Sequence, residues 1–200
     1  MNDTKFMDSY PEDLGGPKGF IGGYLHNGEA KFISIGSGAD PRQGYFEIPQ
    51  DSIVREMHAK NLIVSEASVF MAKRMVPGTS WGNGINYLEV GTGVGTGTTA
   101  VPQAETLAQT ALRVPLARKA ITAWTYLDTN GNATATETNV IQFTTVFDEA
   151  EAVGSIVEMG LFGGNATTTL SSGYMFNYKT FGVWTKGSTL KLTVAWVITF

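Results

Sequence analysis

The chain has 200 residues, 42% apolar but only 16% charged, with a formal net charge of −4 and no cysteine. Disulfides, thiolate metal sites and cysteine nucleophiles are excluded, and without a Lys/Arg cluster a nucleic-acid surface is not expected. Few charges, 24 glycines and abundant Thr read as a β-rich chain with many tight turns.

The opening stretch MNDTKFMDSYPEDLGG is polar and acidic with no apolar core, so no signal peptide is expected. No apolar run approaches the ~18 residues of a membrane helix, so no membrane partner is expected either. Residues 1–50 read as an extended, glycine-rich N-terminal arm with a tight turn at Asn27-Gly28 and a short strand, AKFISIG, after it. Phe6, Tyr10, Phe20, Ile21 and Tyr24 lie on this arm. Apolar side chains on a segment too glycine-rich to build its own core are expected to order against another surface, which makes them candidate assembly contacts.

Residues 51–82 are predicted as a helical segment. Asp51 or Ser52 can cap it, and Ile53, Val54 and Met57 form an apolar patch. Ala67, Phe70, Met71 and Arg74 recur at helical spacing, and Pro77-Gly78 supplies a stop. From Ile85 the period changes to two, and residues 83–200 read as an antiparallel β-domain. INYLEV is a strand, AETLAQTAL a short helix or helical turn, and KAITAWTYLD and TNVIQFTTVFD are strands flanking a turn at Asn130-Gly131. Ile141, Phe143 and Phe147 are expected on one face of the second. GSIVEMGLF and SGYMFNYKTF follow. Leu190, Leu192, Val194, Trp196, Ile198 and Phe200 then alternate without a break, the mark of a half-buried strand. The expected fold is mainly β, an antiparallel sandwich or barrel-like domain preceded by the helical segment and the arm.

The glycine run VGTGVGTG (Gly91, Gly93, Gly95, Gly97) is the first candidate for chemistry. A phosphate loop needs a Lys directly after it, and none occurs before Lys119. A dinucleotide loop needs a third glycine where Thr96 or Thr98 stands. The run therefore reads as geometry, letting a strand end and the backbone pass close to a neighbour. Asp128, Asn130 and Asn132 fit three calcium-loop positions, but Gly131 comes early and Asn139 stands where the closing Glu belongs. His26 and His58 lack a nucleophile motif. Asp148, Glu149 and Glu151 could supply paired carboxylates but read as a solvated loop. No catalytic, metal or cofactor role is assigned to any residue. Glu158 stands inside the apolar strand IVEMGLF and so needs a partner, with Lys179 and Arg113 as candidates.

The order INYLEVGTGVGTG, AETLAQTALRVPL, a hairpin, FDEAEAVGSIVEMGLFGG and FGVWTKGSTLKLTVAWVITF resembles the pattern of tailed-bacteriophage virion proteins, including tail-fibre and tail-collar attachment domains. The matching positions are Gly91, Gly93, Leu112, Arg113, Glu158, Gly160, Leu161, Phe162, the Lys179 region, Trp196, Ile198 and Phe200. The resemblance covers about residues 83–200 and leaves out the arm. It implies a non-enzymatic structural role in a virion, with other virion proteins (major capsid, tail or baseplate) and copies of the chain, as trimer or hexamer, for partners. Fibre proteins usually continue into a shaft, whereas this sequence stops at Phe200, so a capsid decoration (cement) protein or a tail or baseplate adaptor is expected. A glycan- or receptor-binding module is the alternative, with Trp81, Tyr87, Trp124 and Trp184 as stacking candidates.

Overall fold

The structure, a computed structural model, describes residues 18–35, 40–75, 83–94 and 100–200. In chain order the strands are β1 (Lys18–His26), β2 (Lys31–Ser34), β3 (Gly44–Glu47) and β4 (Ile53–Ile63), followed by helix α1 (Ser65–Met75). Then come β5 (Asn83–Gly91), β6 (Pro115–Ala120), β7 (Ala123–Leu127), β8 (Ala133–Thr134) and β9 (Val140–Phe147). The last three are β10 (Gly154–Gly164), β11 (Tyr174–Lys186) and β12 (Lys191–Thr199). The protein is mainly β, and its large sheet is antiparallel.

The chain divides into two compact units, residues 1–60, 122–146 and 190–200, and residues 61–121 and 147–189. In the first the strand order is β4-β1-β12-β9-β7-β8. Its spine is the antiparallel pair β1–β12, in register from Lys18↔Thr199 to His26↔Lys191. Part of the expected arm is thus a strand of the chain's own sheet. Ile21 is fully buried and Tyr24 nearly so, while Phe20 is half-buried. Ile21 and Tyr24 are corrected from contacts with other subunits to core residues. Glycines at 19, 22 and 23 hid the strand, because the residues that make it stable, Val194 to Ile198, lie at the other end of the sequence. Phe6 and Tyr10 lie outside the described residues. The hairpin of this region is β2–β3, with Phe32 opposite Phe46, and a bridge from Gln43 to Trp124 joins it to β7.

The expected helical segment at 51–82 is also corrected. Residues 53–63 form β4, and the helix is confined to Ser65–Met75. Arg55, Glu56, Met57, Ala59 and Lys60 are good helix formers, but the half-buried Met57, Ala59 and Asn61 alternate with the exposed Glu56, His58 and Lys60. Pairing beside β1 overrides local propensity. In α1 the predicted face is correct: Ala67 and Phe70 are buried. The predicted stop at Pro77-Gly78 lies outside the described residues.

Strand β12 is buried from Lys191 to Ile198 on both faces, not on one. Its second face carries Thr193, Ala195 and Val197, which burial tolerates as readily as exposure. On β9 the buried positions are Gln142 and Thr144 to Phe147, so Ile141 and Phe143 do not share the burial of Phe147.

The second unit has the order β6-β5-β10-β11-β4. Strand β10 runs between β5 and β11 and is buried from Ile156 to Gly164. The core beside it is Val64, Leu112, Phe162, Ala166, Met175 and Tyr178, with Tyr87 against it. The segment AETLAQTAL forms a turn at Leu107-Ala108, with Gln109 N–H on the Thr106 carbonyl, and no helix.

Candidate functional site

Glu158 faces the interior of the second unit from the middle of β10 and is 0% exposed. A carboxylate offers about four acceptor positions, and here protein donors fill them. Oε1 accepts the N–H of Gly93 at 3.1 Å and of Val114 at 3.0 Å. Oε2 accepts the Arg113 N–H at 3.3 Å and the Tyr178 hydroxyl at 2.6 Å. Burial, then the bond to Glu158, pushes the Tyr178 phenol well above its ordinary range, so it stays a donor. One side chain thereby fastens the end of β5, the segment entering β6, and β11.

The glycines make this fastening possible. Gly91 stands opposite Glu158 on β5. A Cβ there would lie 2.6 Å from the Val114 carbonyl and 2.7 Å from Glu158 Oε1. Gly93 has φ +71°, and a Cβ there would lie 2.1 Å from the Val101 carbonyl. That position needs both the left-handed backbone and the missing side chain. Gly95 and Gly97 lie outside the described residues. Leu161 and Phe162 are fully buried in the strand that carries Glu158, and Trp196 is fully buried in β12 of the other unit.

The two predicted partners of Glu158 divide. Arg113 reaches it, but through its main-chain N–H. Lys179 does not: its ammonium pairs with Glu105 at 2.8 Å. A second buried charge, Glu89 on β5, escaped the sequence reading although INYLEV carries the signal that marked Glu158, a carboxylate in an apolar run. Arg118 on β6 donates to it at 2.7 Å, and both side chains are essentially buried. Arg118 also lies over the Phe162 ring at 4.3 Å and donates to the Thr167 and Ser172 carbonyls. The Ser171 N–H donates to Glu89 at 2.8 Å. Burial works against both charges, raising the Glu89 carboxyl and lowering Arg118. The pair straps the β10–β11 loop to the sheet.

The acidic loop is similarly occupied. Lys119 pairs with Asp148 and Glu151, and Lys186, itself buried, donates to the Asp148 and Glu149 carbonyls at 2.7 and 3.1 Å. His26 is buried between Thr193 Oγ1 (2.8 Å from Nε2) and the Gly28 carbonyl (3.0 Å from Nδ1). His58 packs on Phe20 and Tyr24. The Asp128 carboxylate accepts the N–H groups of Asn130 and Asn132, and Gly131 has φ +78°, so the segment is a closed turn. Among the described residues no group of three His, Asp or Glu side chains is placed to hold a metal ion.

Of the four stacking candidates, Trp184 is 3% exposed and Tyr87 packs beside the core. Trp81 lies outside the described residues. Trp124 is half-buried on β7. Its indole N–H donates to Asp40 Oδ2 at 3.1 Å, and Arg42 grips the same carboxylate through Nε (3.0 Å), Nη2 (2.7 Å) and its main-chain N–H (2.9 Å). Comparison with protein-family models, curated proteins and solved structures finds no match to the chain.

Proposed function

We propose that the chain is a structural component of a tailed-phage virion, assembling through subunit contacts as a capsid decoration protein or a tail or baseplate adaptor. Its partners are other virion proteins and further copies of itself. The observation that carries this reading is the state of Glu158. Gly91, Gly93, Arg113 and Glu158, which the motif order singled out, meet in one fastening whose carboxylate has every acceptor position filled. Such a group holds segments together and has no lone pair left to act on a substrate.

Two measurements test it. Purified particles are dissected and the chain located by mass spectrometry and imaging: hundreds of copies in the shell mean decoration, and a small ring means a tail part. Deleting residues 1–17, which carry Phe6 and Tyr10 but no part of β1, is expected to abolish incorporation while the chain still folds. Absence of the chain from particles would refute the reading. A second reading, a glycan-binding module, is favoured by one observation: Trp124 lies on the less buried face of β7, partly open and held by its indole N–H.

A further inference from the structure

We propose that the outer face of β7 and β9 is a binding platform for a neutral pyranose sugar, with Trp124 as the stacking ring and Arg42 as the N–H donor to a sugar hydroxyl. This rests on the second reading above and gives it a ligand class and a site.

Strand β7 alternates strictly, with Ala123, Thr125 and Leu127 buried and Trp124 and Tyr126 half-buried, their faces only partly open. The register sets Phe143 opposite Trp124 and Ile141 opposite Tyr126, and both are half-buried. The four side chains therefore share the outer face as two cross-strand pairs. Neighbouring strands lie ~4.8 Å apart and alternate residues ~6.8 Å apart, so the patch has the footprint of one or two pyranose rings. A stable protein partner needs roughly 800 Å² per side, and the chain leaving β8 turns to the exposed polar Thr136 and Glu137. The size favours a sugar over a protein.

The platform is also rigid before anything binds. The indole is pinned along its edge by Asp40, and the Tyr126 ring meets it edge-on at 5.6 Å and 86°. The Trp124 main-chain N–H donates to the Arg42 carbonyl at 3.0 Å. The four donors on Asp40 keep that carboxylate busy as a brace. Arg42, 51% exposed, keeps Nη1 without a partner among the described residues. A sugar laid on the indole through its C–H face would find this N–H at the rim for a hydroxyl. The Arg42–Asp40 pair cancels its own charge, so neutral sugars are preferred to acidic ones. A ring already immobile loses little rotamer freedom on binding.

The test titrates the purified full chain with cellohexaose, chitohexaose and mannohexaose, following intrinsic tryptophan fluorescence and heat. Saturable binding of at least one is expected. Trp124→Ala should weaken it at least tenfold. Arg42→Ala, which leaves every aromatic in place, should weaken it three- to tenfold. Val183→Ala, an exposed residue of the other unit, should leave it unchanged. No saturable response to any of the three sugars overturns the proposal. So does binding that survives Trp124→Ala, or a Trp124→Ala effect on oligomer mass by light scattering instead of on sugar affinity. Particle location plays no part in these readouts, so this inference and the virion reading can fail separately.

Discussion

Replacing Glu158 by Gln keeps the shape of the side chain and changes only which of its atoms can accept. The amide oxygen can take the place of Oε1 and keep the Gly93 and Val114 N–H groups, now as neutral bonds. The NH2 then sits where Oε2 was. The Tyr178 hydroxyl can turn and accept from it, but the Arg113 N–H cannot and is left facing another donor. Hydrogen bonds to a charged group contribute about 1.5–3 kcal/mol against about 1 for neutral ones, and a buried group left unpaired costs about 1–3. Relief from burying a charge offsets part of this. The net expectation is a loss of about 3 kcal/mol, on the order of 100-fold in a local opening equilibrium. Amide hydrogen exchange reads this directly: Gly93, Arg113 and Val114 should exchange on the order of 100-fold faster, while amides of the β1–β12 pair stay as they were. Unchanged exchange at those three amides would mean that Glu158 is not the fastening described here.

Gly91→Ala places a methyl against the Val114 carbonyl and Glu158 Oε1. It should loosen the same amides and lower the melting temperature, at a cost of about 1–3 kcal/mol for overpacking. A melting curve identical to the parent would count against the close approach. Lys179→Ala removes only a partly exposed pair with Glu105 and should cost under about 1 kcal/mol in urea unfolding, whereas a large loss would point back to Glu158 as its partner. Arg118→Ala strands the buried Glu89 and should cost about 3–5 kcal/mol, a loss that Glu89→Leu with Arg118→Met should largely recover. Hydrogen bonds from Arg42, then that from Trp124, hold the Asp40 carboxyl well below the usual carboxylate range. A depressed carboxyl contributes stability that is fully present above its unfolded value of ~3.9 and is lost only as pH falls through the lower folded value. The indole N–H resonance of Trp124 should accordingly hold its position on acidification to about pH 3, and its earlier movement would show that Asp40 does not brace the ring.

Several features were legible without the fold. The Asn130-Gly131 turn, the strands around it and the strand character of β10 and β12 are each carried by a few neighbouring residues, so local sequence reveals them, although not the burial of β12 on both faces. The glycine run could be read as geometry because the residues a phosphate loop requires are missing from it. That Glu158 must have a partner followed from a charge set among apolar neighbours, and Glu89 could have been found by the same signal.

What only the tertiary structure decided were matters of partnership. β1 is a strand because β12, at the far end of the sequence, lies beside it, and β4 is a strand because β1 does. Neither fact leaves a local trace stronger than the glycines of one or the helix-forming residues of the other. The partners of Glu158 were hidden for a more general reason. Three of its four donors are main-chain N–H groups, which nearly every residue carries alike, so no pattern of side chains can announce which of them the fold will bring to a buried carboxylate.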